Sequence, residues 1–298
     1  DERLFEDRGG GKSALAMAVA GATGALLVSA DSRQVYRGFD IGTAKPRAAD
    51  RAAVRHEGID VADATDRWHA ARWAEAARGW IDDARRAGVP VLIVGGTGLW
   101  IRALAEPLFD EPAIDPEARA ALAESLADVP TDALRDRVLQ VDPPRAHLGR
   151  AQLLRALEVA TLTGTAQSVL MAAGPSAPAV PLRYLVVDPG PVLRERIAAR
   201  TDAMLADGWL DEVRRLRRAV PPGAPAFKAT GYEHLVALDD GRLTAAAARD
   251  AIVTATRQYA KRQRTWCRHQ LPASDVVRLD PDAPDAVARA LAWFQESA

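Results

Sequence analysis

Short apolar runs and longer periodic stretches alternate along the chain. Ala25–Ala30 (ALLVSA) is apolar almost throughout and ends at Asp31, the pattern of a strand buried on both faces. Pro90–Val94 (PVLIV) is a second such run and leads into the turn Gly95-Gly96-Thr97-Gly98; Leu182–Val187 (LRYLVV) is a third, and Val276–Leu279 is short enough for an edge strand. Between the runs, apolar residues recur at helical spacing over Lys12–Gly21, Trp68–Ala87, Leu193–Arg218, Thr244–Trp266 and Pro284–Phe294. Strands alternating with helices predict a parallel α/β sheet, whose ligands bind beyond the carboxyl ends of its strands. Asp31 and Thr97 both fall at such ends.

The middle of the chain changes character. Glu106–Pro116 is rich in Pro and Asp, Asp115–Val141 becomes a helical pattern of Ala, Leu, Arg and Asp, and Asp142-Pro143-Pro144 breaks it. A further helix is predicted over Gly149–Leu162, and Ala172–Pro181 (AAGPSAPAVP) reads as a connector. The expected organisation is a core of residues 1–109 and 176–298, interrupted by a helical insertion of residues 110–175. No internal repeat is evident.

Composition narrows the class. The 298 residues are 48% hydrophobic and 27% charged, an ordinary globular balance. No apolar run approaches the roughly 20 residues that span a bilayer, and no signal-peptide pattern opens the sequence. One cysteine, Cys267, rules out an intramolecular disulfide and suits a reducing cytoplasm. The five histidines are scattered without zinc spacing, so any metal is expected on oxygen ligands and phosphate. Net charge is −1, yet Arg257–His269 (RQYAKRQRTWCRH) carries five Lys or Arg residues, two aromatics and no acid. By composition alone that stripe is a solvated helix face or an RNA contact.

Gly9-Gly10-Gly11-Lys12-Ser13 precedes a helical pattern and has the layout of the back half of a phosphate-binding loop. There, backbone N–H groups face phosphate at a helix N-terminus, the lysine reaches a terminal phosphate and the hydroxyl reaches Mg²⁺. The full pattern needs glycine where Glu6 stands, and the preceding DERLFED is not an apolar strand, so the first strand and loop read as degraded or replaced. A Gly-rich linker is the competing reading of this stretch.

Six blocks, in order, decide between these readings. The sixteen residues Asp31–Pro46 (DSRQVYRGFDIGTAKP), Gly95–Leu99 (GGTGL), Arg155–Val159 (RALEV), Arg196–Arg200 (RIAAR), Gly231-Tyr232 and Thr256–Trp266 together resemble the tRNA dimethylallyltransferases, also called the IPP transferase family. The resemblance implies an α/β fold: a P-loop NTPase-like, ATP-binding-type parallel sheet with flanking helices and a helical insertion domain that contacts tRNA. It also implies transfer of a dimethylallyl group from dimethylallyl diphosphate to the N6 amine of the adenine beside the anticodon. Alternatives kept open are a catalytically impaired RNA-binding relative with a broken phosphate loop and a small-molecule P-loop kinase.

Residue by residue, the resemblance makes Asp31 the base that takes the amine proton, Thr97 a hydrogen-bond donor across the prenyl channel, and Arg200 the clamp on the diphosphate. Gly9, Gly10, Gly11, Lys12 and Ser13 hold the diphosphate with Arg200, and Ser13 holds Mg²⁺. Expected tRNA contacts are Asp31, Ser32, Arg33, Gln34, Thr97, Arg119, Gln152, Arg155, Lys228, Gly231, Tyr232, Lys261, Arg262, Gln263, Arg264, Trp266 and Arg268. Arg196, one turn before Arg200, carries less weight because a helix-surface role serves as well. The chain departs from the family at Leu148, Gly149 and Gln152, where an Asn-Asp pair and an arginine are usual, leaving Arg150 as a candidate replacement. It departs also at Glu233, where a basic residue is common, and at His56-Glu57, where paired histidines are usual. A cytoplasmic monomer that binds tRNA and the prenyl diphosphate, with no membrane partner, is the expectation.

Overall fold

The computed structural model describes residues 11–106, 114–175, 178–272 and 276–296. Backbone contacts divide the chain into two compact units, Asp1–Ala105 with Val180–Ala298, and Glu106–Ala179.

The larger unit begins with helix α1 (Lys12–Thr23), which leads through Gly24 in the left-handed conformation into strand β1 (Leu26–Ala30). Next come α2 (Ala48–Ala53), β2 (His56–Glu57), α3 (Ala70–Arg86), β3 (Val91–Gly95) and α4 (Gly98–Ala105). The apolar run read at Ala25–Ala30 is strand β1, every residue of it buried, and it sits at the centre of a parallel sheet of order β2-β1-β3. Its register pairs Leu26 with Val91 and Ala30 with Gly95, so both strands end at the same level. Helix α3 follows the 3.6-residue period: Trp73, Ala74, Ala77, Ile81 and Ala84 are buried, while Arg72, Glu75, Asp82, Asp83, Arg85 and Arg86 are exposed. Its indole pins it to the sheet, the Trp73 Nε1–H donating to the Ser29 carbonyl at 2.9 Å.

The smaller unit holds α5 (Pro116–Ser125), α6 (Thr131–Val141), α7 (Arg150–Thr163) and α8 (Gln167–Ala173) around Leu134, Val138, Leu153, Ala156 and Leu157. The helical pattern at Asp115–Val141 is thus two helices rather than one: α5 ends at Ser125, and Pro130 stands at the N-cap of α6.

The chain re-enters the larger unit at β4 (Tyr184–Val187), followed by α9 (Leu193–Ala206), α10 (Trp209–Ala219), α11 (Tyr232–Asp239), α12 (Ala245–Gln270), β5 (Val276–Leu279) and α13 (Ala286–Gln295). Strands β4 and β5 form a second parallel pair. The pattern at Leu193–Arg218 is split at Gly208, whose φ of 96° only glycine adopts without strain. Helix α1 packs on α13 and on β1 through Leu15, Ala16, Val19, Ala290 and Phe294. No helix among the described residues is long and apolar enough to cross a membrane.

Candidate functional site

Gly11 is the N-cap of α1, with φ of 74°, and a Cβ built there would lie 2.2 Å from Pro281 Cβ. Only glycine fits a left-handed turn against that ring. Lys12 and Ser13 follow in the first turn, where unpaired backbone N–H groups and the helix dipole favour an anion. Burial pushes the Lys12 ammonium below its ordinary pKa; nearby Asp31 opposes this, Arg200 from α9 adds to it, and Cys267 opposes it weakly. Lys12 and Arg200 line the same cleft, where both can face an anionic ligand. Glu6, Gly9 and Gly10 lie outside the described residues.

Asp31 stands one residue beyond the buried strand β1, where the sheet ends and the backbone turns. Its Oδ1 accepts the Arg33 N–H at 2.8 Å, which fixes the carboxylate at the turn. Thr97, at the matching end of β3, donates its own N–H to the Ala30 carbonyl at 3.1 Å and accepts the Ser32 N–H on Oγ1 at 3.0 Å. The parallel register of β1 and β3 therefore places Asp31 and Thr97 side by side.

Helix α12 closes the site. Gln263 donates Nε2–H to the Gly96 carbonyl at 2.9 Å, and the Trp266 indole lies so close to Gly98 that a Cβ there would come within 2.2 Å of it. Tyr259, four residues before Gln263 on the same helical face, was not among the sequence candidates. Burial raises its phenol above the ordinary pKa and Asp31 raises it further, while hydrogen bonding with Thr97 and Gln263 opposes both. The signals in the sequence were its place in the Thr256–Trp266 block and an aromatic at i−4 from a glutamine within the basic stripe. Lys12, Asp31, Gln34, Arg200, Tyr259 and Trp266 all line one cleft of about 1430 Å³.

This packing predicts that Gly98→Ala displaces Trp266 and loosens α12. Overpacking of this kind costs about 1–3 kcal/mol. A urea titration should show the midpoint falling with the slope unchanged, and a midpoint equal to the wild type would mean that Trp266 swings away freely.

The expected RNA-contacting residues fall into two groups. Lys228, Lys261, Arg262 and Arg268 are exposed, and the Arg262 guanidinium lies 5.7 Å from the centre of the Tyr259 ring. Arg33 and Ser32 line the cleft with Asp31. Others are engaged by the protein itself. Gln34 donates Nε2–H to the Thr43 and Ala44 carbonyls, each at 3.2 Å, and accepts from Ser29 Oγ at 3.0 Å. Arg264 is ion-paired with Asp188 and donates to the Gly190 carbonyl at 2.7 Å. Gln263 and Trp266 hold the glycine turn. Tyr232 is a correction to the sequence reading: its ring is fully buried and its hydroxyl donates to Glu212 at 2.6 Å, so it offers no surface to RNA. Gly231 caps α11 at φ of 99°, and a Cβ there would lie 2.3 Å from Trp209, so this glycine serves packing.

Within the smaller unit, Glu158 pairs with both Arg119, at 2.6 Å, and Arg155. Gln152 turns back to accept the Gly149 N–H at 3.1 Å, which caps its own helix. Arg150 donates to the Val129, Leu126 and Ala127 carbonyls at the end of α5, so it does not take over from an arginine at position 152.

The fold and the site define a class: a parallel α/β protein with a glycine-capped helix N-terminus that lines one cleft with a strand-end carboxylate. The sequence pattern of the IPP transferases matches residues 34–270. A tRNA dimethylallyltransferase of Burkholderia thailandensis is 44% identical, across 94% of this chain and 90% of the relative. One from Ralstonia pickettii is 41% identical, across 96% and 93%. Among solved structures, a tRNA isopentenylpyrophosphate transferase from Staphylococcus epidermidis matches with a TM-score of 0.67 at 26% identity, over 97% of this chain and 96% of that one. A eukaryotic dimethylallyltransferase acting on tRNA shares the fold with a TM-score of 0.79 at 24% identity, over 97% and 77%. The chain belongs to the IPP transferase family.

Proposed function

We propose that this chain transfers the dimethylallyl group of dimethylallyl diphosphate to the N6 amine of the adenine adjacent to the tRNA anticodon, releasing diphosphate. The observation that carries this reading is the strand-end carboxylate of Asp31 set beside the paired cations Lys12 and Arg200 in one cleft. The amine is a poor nucleophile because its lone pair is delocalised into the ring. In the transfer an N6–carbon bond forms, the carbon–oxygen bond to diphosphate breaks, and one amine proton leaves to Asp31. Lys12 and Arg200 meet the charge that develops on the leaving oxygen, where preorganised cations act most strongly. Tyr259 lines the same cleft as the carboxylate. The adenine leaves its stack to reach this depth, as a base must when chemistry is done on its edge.

Mg²⁺ fits as a partner of the bound diphosphate. Among the described residues no group of three or more His, Cys, Asp or Glu side chains is placed to hold a metal unaided. The Ser13 hydroxyl, next to Lys12, is the protein oxygen expected to share the ion with phosphate, and the ion would neutralise the departing charge.

Incubation with radiolabelled dimethylallyl diphosphate and an anticodon stem-loop tests the reading. Label in the RNA at the target adenine is the expected result. RNA that binds yet gains no label would identify an impaired relative instead. The basic helix gives a second test, because lysines and arginines that meet phosphates release counterions. Lys261→Ala with Arg262→Ala should flatten the log affinity against log salt plot by about 0.7–0.9 per lost contact. An unchanged slope would make this a solvated helix face.

A further inference from the structure

Glu212 lies in the first turn of α10 and is only 5% exposed. Burying a carboxylate is costly unless its lone pairs are taken up by donors. Here four converge on it. The N–H groups of Asp40, Ile41 and Gly42 donate at 2.9, 2.7 and 3.3 Å, and the Tyr232 hydroxyl donates at 2.6 Å. Three successive backbone donors aimed at one anion form a concave nest, which fixes the path of residues 40–42. The path is also fixed from the other side. A Cβ on Gly42 would lie 2.1 Å from Trp209 Nε1 and 2.5 Å from Tyr232 Cε2. Close to Tyr232 are Trp209 and Phe39, with ring centres at 5.6 and 5.1 Å.

The same loop reaches the site one residue further on. The carbonyls of Thr43 and Ala44 both accept from Gln34, whose own oxygen accepts from Ser29 on β1. Gln34 closes the turn in which the Arg33 N–H holds Asp31. Residues 40–42 thus direct their N–H groups at Glu212, and residues 43 and 44 direct their carbonyls at Gln34.

We propose that Glu212, oriented by Tyr232, is a positioning residue for the turn Asp31–Gln34: it acts through the loop of residues 40–44 and the Gln34 amide on the carboxylate that takes the proton. The proposal rests on the transferase reading for its consequence in the reaction, although the mechanical link stands without it.

Glu212→Gln tests it, because an amide turns N–H groups toward donors and cannot accept from all four. Hydrogen exchange should accelerate by about tenfold or more at the amides of residues 40–42 and, beyond them, at Ser32–Gln34. The single-turnover transfer rate should fall by on the order of tenfold, as expected when a reacting group is misplaced, with the affinity for dimethylallyl diphosphate within twofold. A protein that only lost stability would instead show a smaller active fraction with an unchanged rate in that fraction. Glu212→Gln combined with Gln34→Ala should be no slower than Gln34→Ala alone, since both act on one path. Exchange that changes only at residues 40–42, additive rates, or a wild-type rate in Glu212→Gln would each overturn the proposal. If Glu212→Gln does not fold, Tyr232→Phe removes one donor of four and should move the same observables in the same direction by less; no movement overturns the proposal equally. A wild-type protein that transfers no prenyl group would count against the transferase reading, while exchange at Ser32–Gln34 would still decide the positioning role.

Discussion

Asp31→Asn is expected to lower the single-turnover rate of prenyl transfer by about 10²–10⁴, the usual cost of losing a positioned base. The substitution keeps the shape of the side chain and an oxygen that accepts the Arg33 N–H, now at 2.8 Å, so the turn should persist. What disappears is the capacity to take a proton from the amine. Affinity for the anticodon stem-loop should stay within a few-fold of the wild type, because the exposed cations of α12 and Lys228 are untouched. Binding of the prenyl diphosphate should hold or strengthen slightly, since one negative charge leaves the neighbourhood of Lys12. Rapid-quench measurement of label transfer at saturating RNA, with anisotropy titration of the same RNA, separates these quantities. A variant that keeps most of its rate would show that Asp31 organises the turn and that the proton leaves by another route.

Lys45→Met should destabilise the larger unit by about 3 kcal/mol, the lower end of the range for breaking a buried ion pair. The Lys45 side chain is 3% exposed, and its ammonium donates to the Tyr36 carbonyl at 2.6 Å, to Asp40 at 2.8 Å and to Asp60 at 2.5 Å. Removing it leaves a buried carbonyl and a carboxylate short of a donor. The lower end applies because Asp40 is half-exposed and Asp60 keeps Arg51 at 2.6 Å. The pH dependence has a definite sign. Burial tends to raise the Asp60 pKa, but hydrogen bonds from Lys45 and Arg51 overcome it and hold the group below the ordinary carboxylate value. A carboxylate depressed in the folded state stabilises the fold above its unfolded pKa of about 4, and that contribution is lost as pH falls through the folded value. Denaturation curves of wild type and variant should therefore lie far apart at neutral pH and converge in acid. A gap that stays constant down to acid pH would assign the loss to packing of the lysine stem.

Much of the site was legible because its signals are local. A strand buried on both faces has to be a run such as ALLVSA, and the residue just past its end has to lie at the sheet's carboxyl edge, so Asp31 could be placed before any coordinates. Gly11 before Lys12 and Ser13 reads as a helix start that faces an anion. The basic stripe of α12 was visible as charge at helical spacing, and its length was underestimated by only one turn. Less local signals failed. Tyr232 sits in a motif block whose resemblance implies a tRNA contact, yet its ring packs beside Gly42. Glu212 carried no signal in the sequence that set it apart from other helix acids. Arg264 belonged to the stripe by composition, while its partner Asp188 lies 76 residues earlier.

By itself, then, the sequence determined the parallel α/β class, the family, the strand-end position of Asp31 and the start of α1 after Gly11, since each depends on periodicity or on neighbours within one turn or one strand. Tertiary structure alone decided which polar side chains in those motifs face the cleft and which are consumed by the protein: Arg200 is brought beside Lys12, Tyr259 beside Asp31, and Gln263 and Trp266 onto the glycine turn, while Glu212 gathers three backbone N–H groups from a loop some 170 residues away. The physical reason is that a hydrogen-bonding side chain has no fixed partner until packing supplies one, and the nearest unsatisfied buried donor or acceptor then takes it, wherever it lies along the chain.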